Sequence, residues 1–447
     1  MSAQPKGVPR LPALPAASKG LPGAGIALGL AAAGLTAAAG FAADKLNRER
    51  RLALALDETV TIDPFHEEAD EEHIVRTDDG VDLHVEVDYA RDADGDGEPM
   101  NDPSRPTIVL CHGYCLSLRA WVFQRRALRE AGYRVVLFDV RGHGRSGMGE
   151  RDRCDVDQLG RDLACVLEAV VPQGPIVLVG HSMGGMTIMA LALERPEFIA
   201  QRVVGAAFVA TSPGNLAEAT YGIGRVAGRL VHRLVGPTTG LLSARQGLVD
   251  GTIKVGRDVV DLFVDWGSFG SPVPMSVAQL TTDMIFGTRM EVISAFMPRF
   301  DDLDKREALA QFDGIETLVF SGMEDRLTPP AHSEEIVRLV PGAEHVLVAN
   351  AGHVIMLEHP ELLTEHLLDL IRRAQRASQK PPAPRRSARG RRTVTDVTSA
   401  RRAAAARRRD AGRLAQRVQE PLAAAVRSAP VARLRGRARV DAQEGAE

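Results

Sequence analysis

At 447 residues, the chain is long enough for one large domain with additional segments at its ends. Apolar residues make up 45% of the chain and charged residues 25%, a balance that excludes a wholly disordered protein. The net charge of −3 hides an asymmetry, because roughly 21 Lys and Arg against 6 Asp and Glu follow residue 371, which leaves about −18 for the rest. This composition is typical of a globular domain followed by a basic tail.

The amino-terminal part of the chain predicts a disordered segment and then an anchor. Residues 1–23 are rich in Pro, Ala and Gly, and we expect them to be disordered. Residues 24–43 form an uncharged Ala/Gly-rich run that is long enough to cross a bilayer, although few of its residues are strongly apolar. A membrane helix is the favoured interpretation; a soluble helix and a cleaved signal peptide remain alternatives. Because a denser basic cluster follows at 45–51, we expect the main domain to be cytoplasmic, at the cell membrane or free of it.

Strands alternate with helices over residues 73–213. A hairpin begins near residue 73, and the strands after it are short apolar runs separated by amphipathic stretches. The predicted strands are 107–111, 134–138, 176–179 and 203–210, and the predicted helices are 118–131 and 156–171. This alternation predicts an α/β fold, with a mostly parallel sheet and helices on both faces.

The alternation breaks over residues 214–300, which contain no clear strand but have apolar residues at helical spacing. We interpret this span as a helical cap inserted into the domain. Strands resume at 316–321 and 344–349, so residues 301–373 complete the core that residues 73–213 begin.

The basic tail, residues 374–447, contains too few apolar residues to bury a core, and we expect it to be largely disordered. Its charge favours association with an anionic membrane, together with residues 24–43. Nucleic acid would also attract this charge, but we do not expect it as a partner because the tail has no base-reading motif. The sequence leaves the oligomeric state open.

Candidate chemistry begins where an apolar strand runs into a helix through Gly180-x-Ser182-x-Gly184. A strand-to-helix turn this tight requires glycine on either side of the serine and exposes the hydroxyl above the sheet edge. Ser182 is therefore the candidate nucleophile.

A serine hydroxyl needs an imidazole as general base and a carboxylate to orient it. Asp325 directly follows one predicted strand and His353 follows the next, so both should lie at the sheet edge that carries Ser182. Glu324 is the alternative acid. The tetrahedral intermediate also needs two backbone donors, for which we predict the amides of Met183 and Tyr114.

In combination these motifs resemble the α/β-hydrolase family over residues 73–373. The matching motifs are His112-Gly113, Asp139-x-Arg141-Gly142-His143-Gly144-x-Ser146, Gly180-x-Ser182-x-Gly184, Gly322-x-x-Asp325 and Gly352-His353. The resemblance implies an eight-stranded, mostly parallel sheet with one antiparallel strand, a variable cap and a Ser182–Asp325–His353 triad. It also implies a structural role for His143.

The resulting hypothesis is a serine esterase or lipase-like hydrolase that forms an acyl-enzyme on a small ester substrate. A hydrophobic acyl or alcohol group is favoured by apolar cap residues, namely Trp266, Phe269, Met275, Met284, Phe286, Phe296 and Met297. Thioester or lactone hydrolysis and haloperoxidase-like activity remain alternatives, and a non-catalytic binding protein of the same fold is disfavoured. We expect no cofactor and no metal, since the four cysteines lack the spacing of a metal site.

Overall fold

The structure is a computed structural model that describes residues 65–90, 104–216, 264, 267–378 and 391–396. The predicted segments 1–23 and 24–43 lie outside these residues, as do much of the cap and most of the basic tail.

One sheet of nine strands organises the described part of the chain. Its spatial order is β1-β2-β4-β3-β5-β6-β7-β8-β9. The strands are β1 (Glu71–Arg76), β2 (Asp82–Asp88), β3 (Thr107–Cys111), β4 (Val135–Phe138), β5 (Ile176–His181), β6 (Val203–Val209), β7 (Glu316–Gly322), β8 (Glu344–Ala349) and β9 (Arg391–Asp396).

Strand direction agrees with the predicted fold. β2 is antiparallel to both of its neighbours, β1 and β4, whereas every pair from β4 to β9 is parallel. Parallel strands buried on both faces are apolar along their whole length, as β5 is from Ile176 to Val179. The mostly parallel α/β-hydrolase sheet with one antiparallel strand is confirmed.

The ninth strand is a difference from the sequence analysis. Residues 391–396 lie in the tail for which we predicted no ordered element, yet β9 pairs in parallel with all of β8. The tail is too polar to form a core of its own, but Thr393-Val-Thr395 is a β-branched run. Such a run needs only an open strand edge to complete its backbone hydrogen bonds, and β8 offers one.

Nine α-helices are described, and they cover both faces of the sheet. α2 and α3 pack with one set of alternating strand side chains, and α1 and α9 pack with the other. The helices are α1 (Val122–Glu130), α2 (Val156–Val170), α3 (Met183–Glu194), α4 (Pro196–Arg202), α5 (Met275–Gly287), α6 (Met290–Phe296), α7 (Pro330–Leu339), α8 (Ile355–Glu358) and α9 (Pro360–Ser378).

The described part of the cap is helical. It contains α5, α6 and a 3₁₀ turn at Met297–Phe300, before the chain returns to the sheet. Within the ranges that the structure describes, no helix is both long and apolar enough to span a bilayer. Residues 24–43 lie outside that comparison.

Candidate active site

Ser182 lies in a strained turn between β5 and α3. Its backbone has φ +51° and ψ −120°, a conformation that a non-glycine residue rarely adopts. A Cβ on Gly180 would lie 2.5 Å from the carbonyl carbon of Gly184, and one on Gly184 would lie 2.2 Å from the carbonyl oxygen of Cys111. Both glycines are therefore required by close backbone approach, which is the local reason for the sequence motif.

The neighbouring strand β6 holds the turn in this conformation. The Ser182 amide donates to the carbonyl oxygen of Val209 at 2.9 Å. The Thr211 hydroxyl donates to the carbonyl oxygen of Ser182 at 2.7 Å. These two bonds help to hold the strained backbone of Ser182 in place.

The three residues predicted as a triad form one hydrogen-bonded chain. His353 Nε2 lies 3.0 Å from Ser182 Oγ. His353 Nδ1 lies 2.9 Å and 3.1 Å from the two carboxylate oxygens of Asp325. The carboxylate thus selects the tautomer with the proton on Nδ1, and Nε2 is left to accept the serine proton.

The Asp325 carboxylate is buried and bonded on several sides. It accepts the amides of Leu327 and Thr328 at 2.9 and 2.8 Å, and the Thr328 hydroxyl at 2.8 Å. The same hydroxyl lies 3.3 Å from His353 Nδ1. Glu324, the alternative acid, is exposed to solvent. Thr328 was not among the predicted site residues, although an Asp followed three residues later by Thr is a pattern in which the carboxylate binds the following amides.

A mostly apolar cavity of about 290 Å³ opens above Ser182 and His353. Tyr114 and Met183, the predicted oxyanion donors, both line it. Its apolar wall includes Leu116, Met186, Leu216, Ile285, Met297, Phe300 and Leu327. Of the seven cap residues singled out in the sequence, Met297 lines this cavity. Phe269, Met284 and Phe296 are buried in packing, Met275 is half-buried, Phe286 is exposed, and Trp266 lies outside the described residues.

Tyr114 connects the cavity to the cap. Its hydroxyl donates to the carbonyl oxygen of Ile293 in α6 at 2.7 Å. Its ring packs edge-on against Phe300, with 5.3 Å between centroids. Burial raises the pKa of this phenol above its ordinary value, so the hydroxyl stays protonated and remains a donor.

Two buried histidines near the triad are neutral. His181 Nε2 lies 2.9 Å from the carbonyl oxygen of His353, and burial lowers the His181 pKa well below its ordinary value. A neutral ring that donates from Nε2 has no proton on Nδ1, and this nitrogen has no partner among the described residues. Burial also lowers the pKa of His143 to about 3. Its Nδ1 lies 3.0 Å from the Arg141 carbonyl oxygen, which favours the predicted structural role.

Among the residues that the structure describes, two groups outside the triad, made of carboxylates and one histidine, have ligand atoms close enough for a cation. They are Glu72–His84–Glu86 and Asp78–Asp79–Asp162. Arginine side chains already neutralise both groups: Arg145 and Arg125 bind the first, and Arg141 binds the second. Their charges serve ion pairs within the fold. The four cysteines are free thiols.

Known proteins with related sequences include hydrolases. The chain is 27% identical over 278 residues to the sn-1-specific diacylglycerol lipase ABHD11 of Mus musculus, covering 58% of this chain and 79% of the lipase. It is 26% identical over 289 residues to the 2-hydroxy-6-oxononadienedioate/2-hydroxy-6-oxononatrienedioate hydrolase of Escherichia coli, covering 60% of this chain and 87% of that enzyme.

Solved structures share the fold at low sequence identity. An esterase from Exiguobacterium antarcticum superposes with a TM-score of 0.53 at 19% identity, and an enol-lactonase from Burkholderia xenovorans superposes with 0.51 at 23%. Each comparison covers 68% of this chain and all of the other chain. At these identities the likeness establishes the fold alone.

The sequence model of the serine aminopeptidase (S33) family matches residues 102–360, which is more than half of the chain. This span contains Ser182, Asp325 and His353, the cavity above them and the strands that position them. The fold and the match lead to the same assignment: the chain belongs to the serine aminopeptidase (S33) family of α/β-hydrolases and is a hydrolase.

Proposed function

We propose that this hydrolase cleaves carboxylic esters with a hydrophobic acyl or alcohol group, through an acyl-enzyme on Ser182. The observation that carries the proposal is the continuous hydrogen-bonded chain from Ser182 through His353 to Asp325, which ends at the floor of an apolar cavity. This arrangement has the distances that a nucleophile, its base and the orienting carboxylate require.

In the proposed mechanism, His353 Nε2 accepts the Ser182 proton as Oγ attacks the ester carbonyl carbon. The Asp325 carboxylate stabilises the imidazolium that forms, and the amides of Tyr114 and Met183 bind the oxyanion. The imidazolium then gives its proton to the departing alcohol. Water, activated by the same imidazole, releases the acid and regenerates the serine.

The lining of the cavity supports a neutral, hydrophobic substrate. Its described wall contains no Asp, Glu, Lys or Arg side chain, so a charged group on the substrate would lose its hydration without gaining an ion pair. A peptide with a free amino terminus needs a carboxylate partner at this place. The cavity therefore favours esters over the aminopeptidase substrates that the family description suggests.

Related carbonyl chemistry forms the alternative. Thioesters and lactones present the same electrophilic carbon, and an enol-lactonase and a Bacillus anthracis bromoperoxidase are among the proteins with this fold. A non-catalytic binding protein would have no need for a serine, a base and an acid in hydrogen-bonded order.

The test combines active-site labelling with a substrate panel. Purified full-length protein should react covalently with a fluorophosphonate probe at Ser182, and peptide mapping identifies the labelled residue. A series of p-nitrophenyl esters graded from acetyl to lauroyl should show kcat/KM rising with acyl length until the cavity is filled. Thioesters and lactones of matched length serve as competitors. Absence of labelling together with absence of turnover would reject the proposal.

We also propose that the two ends of the chain bind a membrane together, on their sequence alone. A weakly apolar run such as residues 24–43 needs a second signal for stable membrane residence, and the basic tail can supply it through anionic lipid. Membrane fractionation at low and high salt tests this proposal. It compares the full chain with a chain starting at residue 73 and a chain ending at residue 373. The contribution of the tail should weaken with salt, whereas that of residues 24–43 should persist. A full chain that stays in the supernatant at low salt would reject membrane binding.

A further inference from the structure

One buried carboxylate near the triad has no part in the proposed mechanism. Glu358 ends the short helix α8, five residues after His353, and its side chain is fully buried. The run Val354-Ile-Met-Leu before it is apolar, so an ionisable side chain is out of place there unless it has partners.

The partners of Glu358 come from two different parts of the chain. Oε2 accepts the amide of Gly352, the residue before His353, at 2.7 Å. Oε1 accepts the amides of Gly270 and Ser271 at 3.0 and 2.5 Å, and the Ser271 hydroxyl at 2.6 Å. Burial raises the pKa of Glu358, while these donors act in the opposite direction and favour the ionised form. One carboxylate thus holds the segment that enters the cap helices and the loop of the base.

The two segments touch directly, with no side chain between them. A Cβ on Gly352 would lie 2.6 Å from the amide nitrogen of Gly270, and one on Gly270 would lie 2.8 Å from that of Gly352. The Val354 amide donates to the carbonyl oxygen of Ser268 at 2.8 Å. The backbone on both sides of His353 is therefore fastened to residues 268–271, and Glu358 is the only side chain on the described residues shown to bind both segments.

We propose that Glu358 is a positioning residue that locks the His353 loop to residues 268–271 and so couples the cap to the catalytic base. The inference rests on the proposed function, because it assigns Glu358 an effect on the step that His353 performs. An ionised carboxylate suits this role since it accepts at both oxygens. A glutamine would direct an N–H₂ group at one set of backbone amides and would release either the loop or the cap segment.

The test compares Glu358→Gln and Ser271→Ala with wild type in the full-length protein. A base displaced by a fraction of an ångström slows proton transfer without altering the apolar cavity. For Glu358→Gln we therefore expect kcat on p-nitrophenyl butyrate to fall about 10- to 100-fold while KM stays within about threefold. Fluorophosphonate labelling of Ser182 should slow in parallel. Ser271→Ala removes one donor on the cap side only, and we expect a fall in kcat of about threefold.

Glu361→Gln is the matched control, because Glu361 is exposed and lies three residues further along the same helical region. Its kcat should equal that of wild type. A folded Glu358→Gln protein with kcat within twofold of wild type would overturn the inference. If the Glu358→Gln variant melts without a cooperative transition, the Ser271→Ala variant tests the inference instead. An unchanged kcat in Ser271→Ala would then overturn it. Wild-type protein that neither turns over esters nor labels would reject the proposed function itself and with it this role for Glu358.

Discussion

Two polar clusters on the described residues differ in how completely their charged groups are hydrogen-bonded. In the first, Arg141 donates to both oxygens of Asp79 and to both oxygens of Asp162, at 2.6 to 3.0 Å. In the second, the His353 imidazole has a carboxylate on one side, but on the other only the Ser182 hydroxyl at the cavity floor. The arginine cluster is closed, whereas the serine cluster keeps one hydrogen bond available to a substrate.

This difference separates a structural role from a chemical one. The arginine cluster joins the turn between β1 and β2, the loop after β4 and helix α2, so its geometry holds three elements together. A cluster in which each charged group already has an ion-pair partner has little left to offer a substrate. The serine cluster is less completely bonded, and in the proposed mechanism this leaves the Ser182 hydroxyl available to react. Substitutions in the serine cluster should therefore change activity, whereas substitutions in the arginine cluster should change stability.

The largest effect is expected from Ser182→Ala, which removes the proposed nucleophile. We expect kcat on a p-nitrophenyl ester to fall by about 10⁴-fold or more and fluorophosphonate labelling to disappear. The melting temperature should stay close to that of wild type, since alanine fits the turn that serine occupies. Turnover near the wild-type rate would show that another residue is the nucleophile.

Asp325→Asn should come next, because an amide no longer selects the tautomer of His353 or stabilises its protonated form. We expect kcat to fall by about 10³- to 10⁴-fold, measured under saturating substrate. Glu324→Gln is the matched control, and its exposed side chain predicts a change within about twofold. The opposite ranking would assign the acid to Glu324.

Arg141→Met should lower stability and leave the chemistry largely intact. The substitution leaves the carboxylates of Asp79 and Asp162 without their cation, and Asp162 is fully buried. Breaking such a buried pair costs about 3–5 kcal/mol of unfolding free energy. Arg145→Met is the control, since its ion pair with Glu72 is about half exposed and should contribute less than about 1 kcal/mol. Urea unfolding measures both, and equal losses in the two variants would contradict the distinction.

The smallest effect is expected from the acid titration of Asp79. Its bonds to Arg141 lower the pKa of this carboxyl from 3.8 to about 2. The folded protein thus favours the ionised form, so the stabilisation is present above pH 3.8 and is lost as the pH falls towards 2. In thermal melts across this range, wild type should lose stability more steeply than Asp79→Asn. Buried neutral histidines also lower stability in acid, but they are common to both proteins and cancel in the comparison. Parallel curves would contradict the coupling.

Much of the fold and the site follows from local sequence. The apolar run 176–179, the glycines around Ser182 and the placement of Asp325 and His353 after strands each have a local physical cause that a sequence displays. Parallel strands end at one edge, so residues that follow strands must converge there. This is why three residues far apart in the chain could be predicted as neighbours.

The elements that were missed depend on partners that are distant in sequence. β9 forms by pairing with the edge strand β8. The composition of the tail contains no information about that edge, so the strand could not be predicted from it. Glu358 was not predicted as a site residue, because an acid at a helix end is common in sequences. Its role depends on the amides of Gly270, Ser271 and Gly352, which donate to its carboxylate only in the folded chain. Thr328 has the same explanation, since its hydroxyl acquires meaning only beside Asp325 and His353.

By itself, the sequence determined the fold class, the order of the first eight strands along the chain and the residue types of the candidate triad, because each depends on periodicity or on a tight turn. Only the tertiary structure shows that Asp325 is buried within hydrogen-bond distance of His353, whereas the adjacent Glu324 is exposed to solvent. It also decided which cap residues face the cavity. Burial and hydrogen-bond partnership are properties of the packed chain, and no local pattern encodes them.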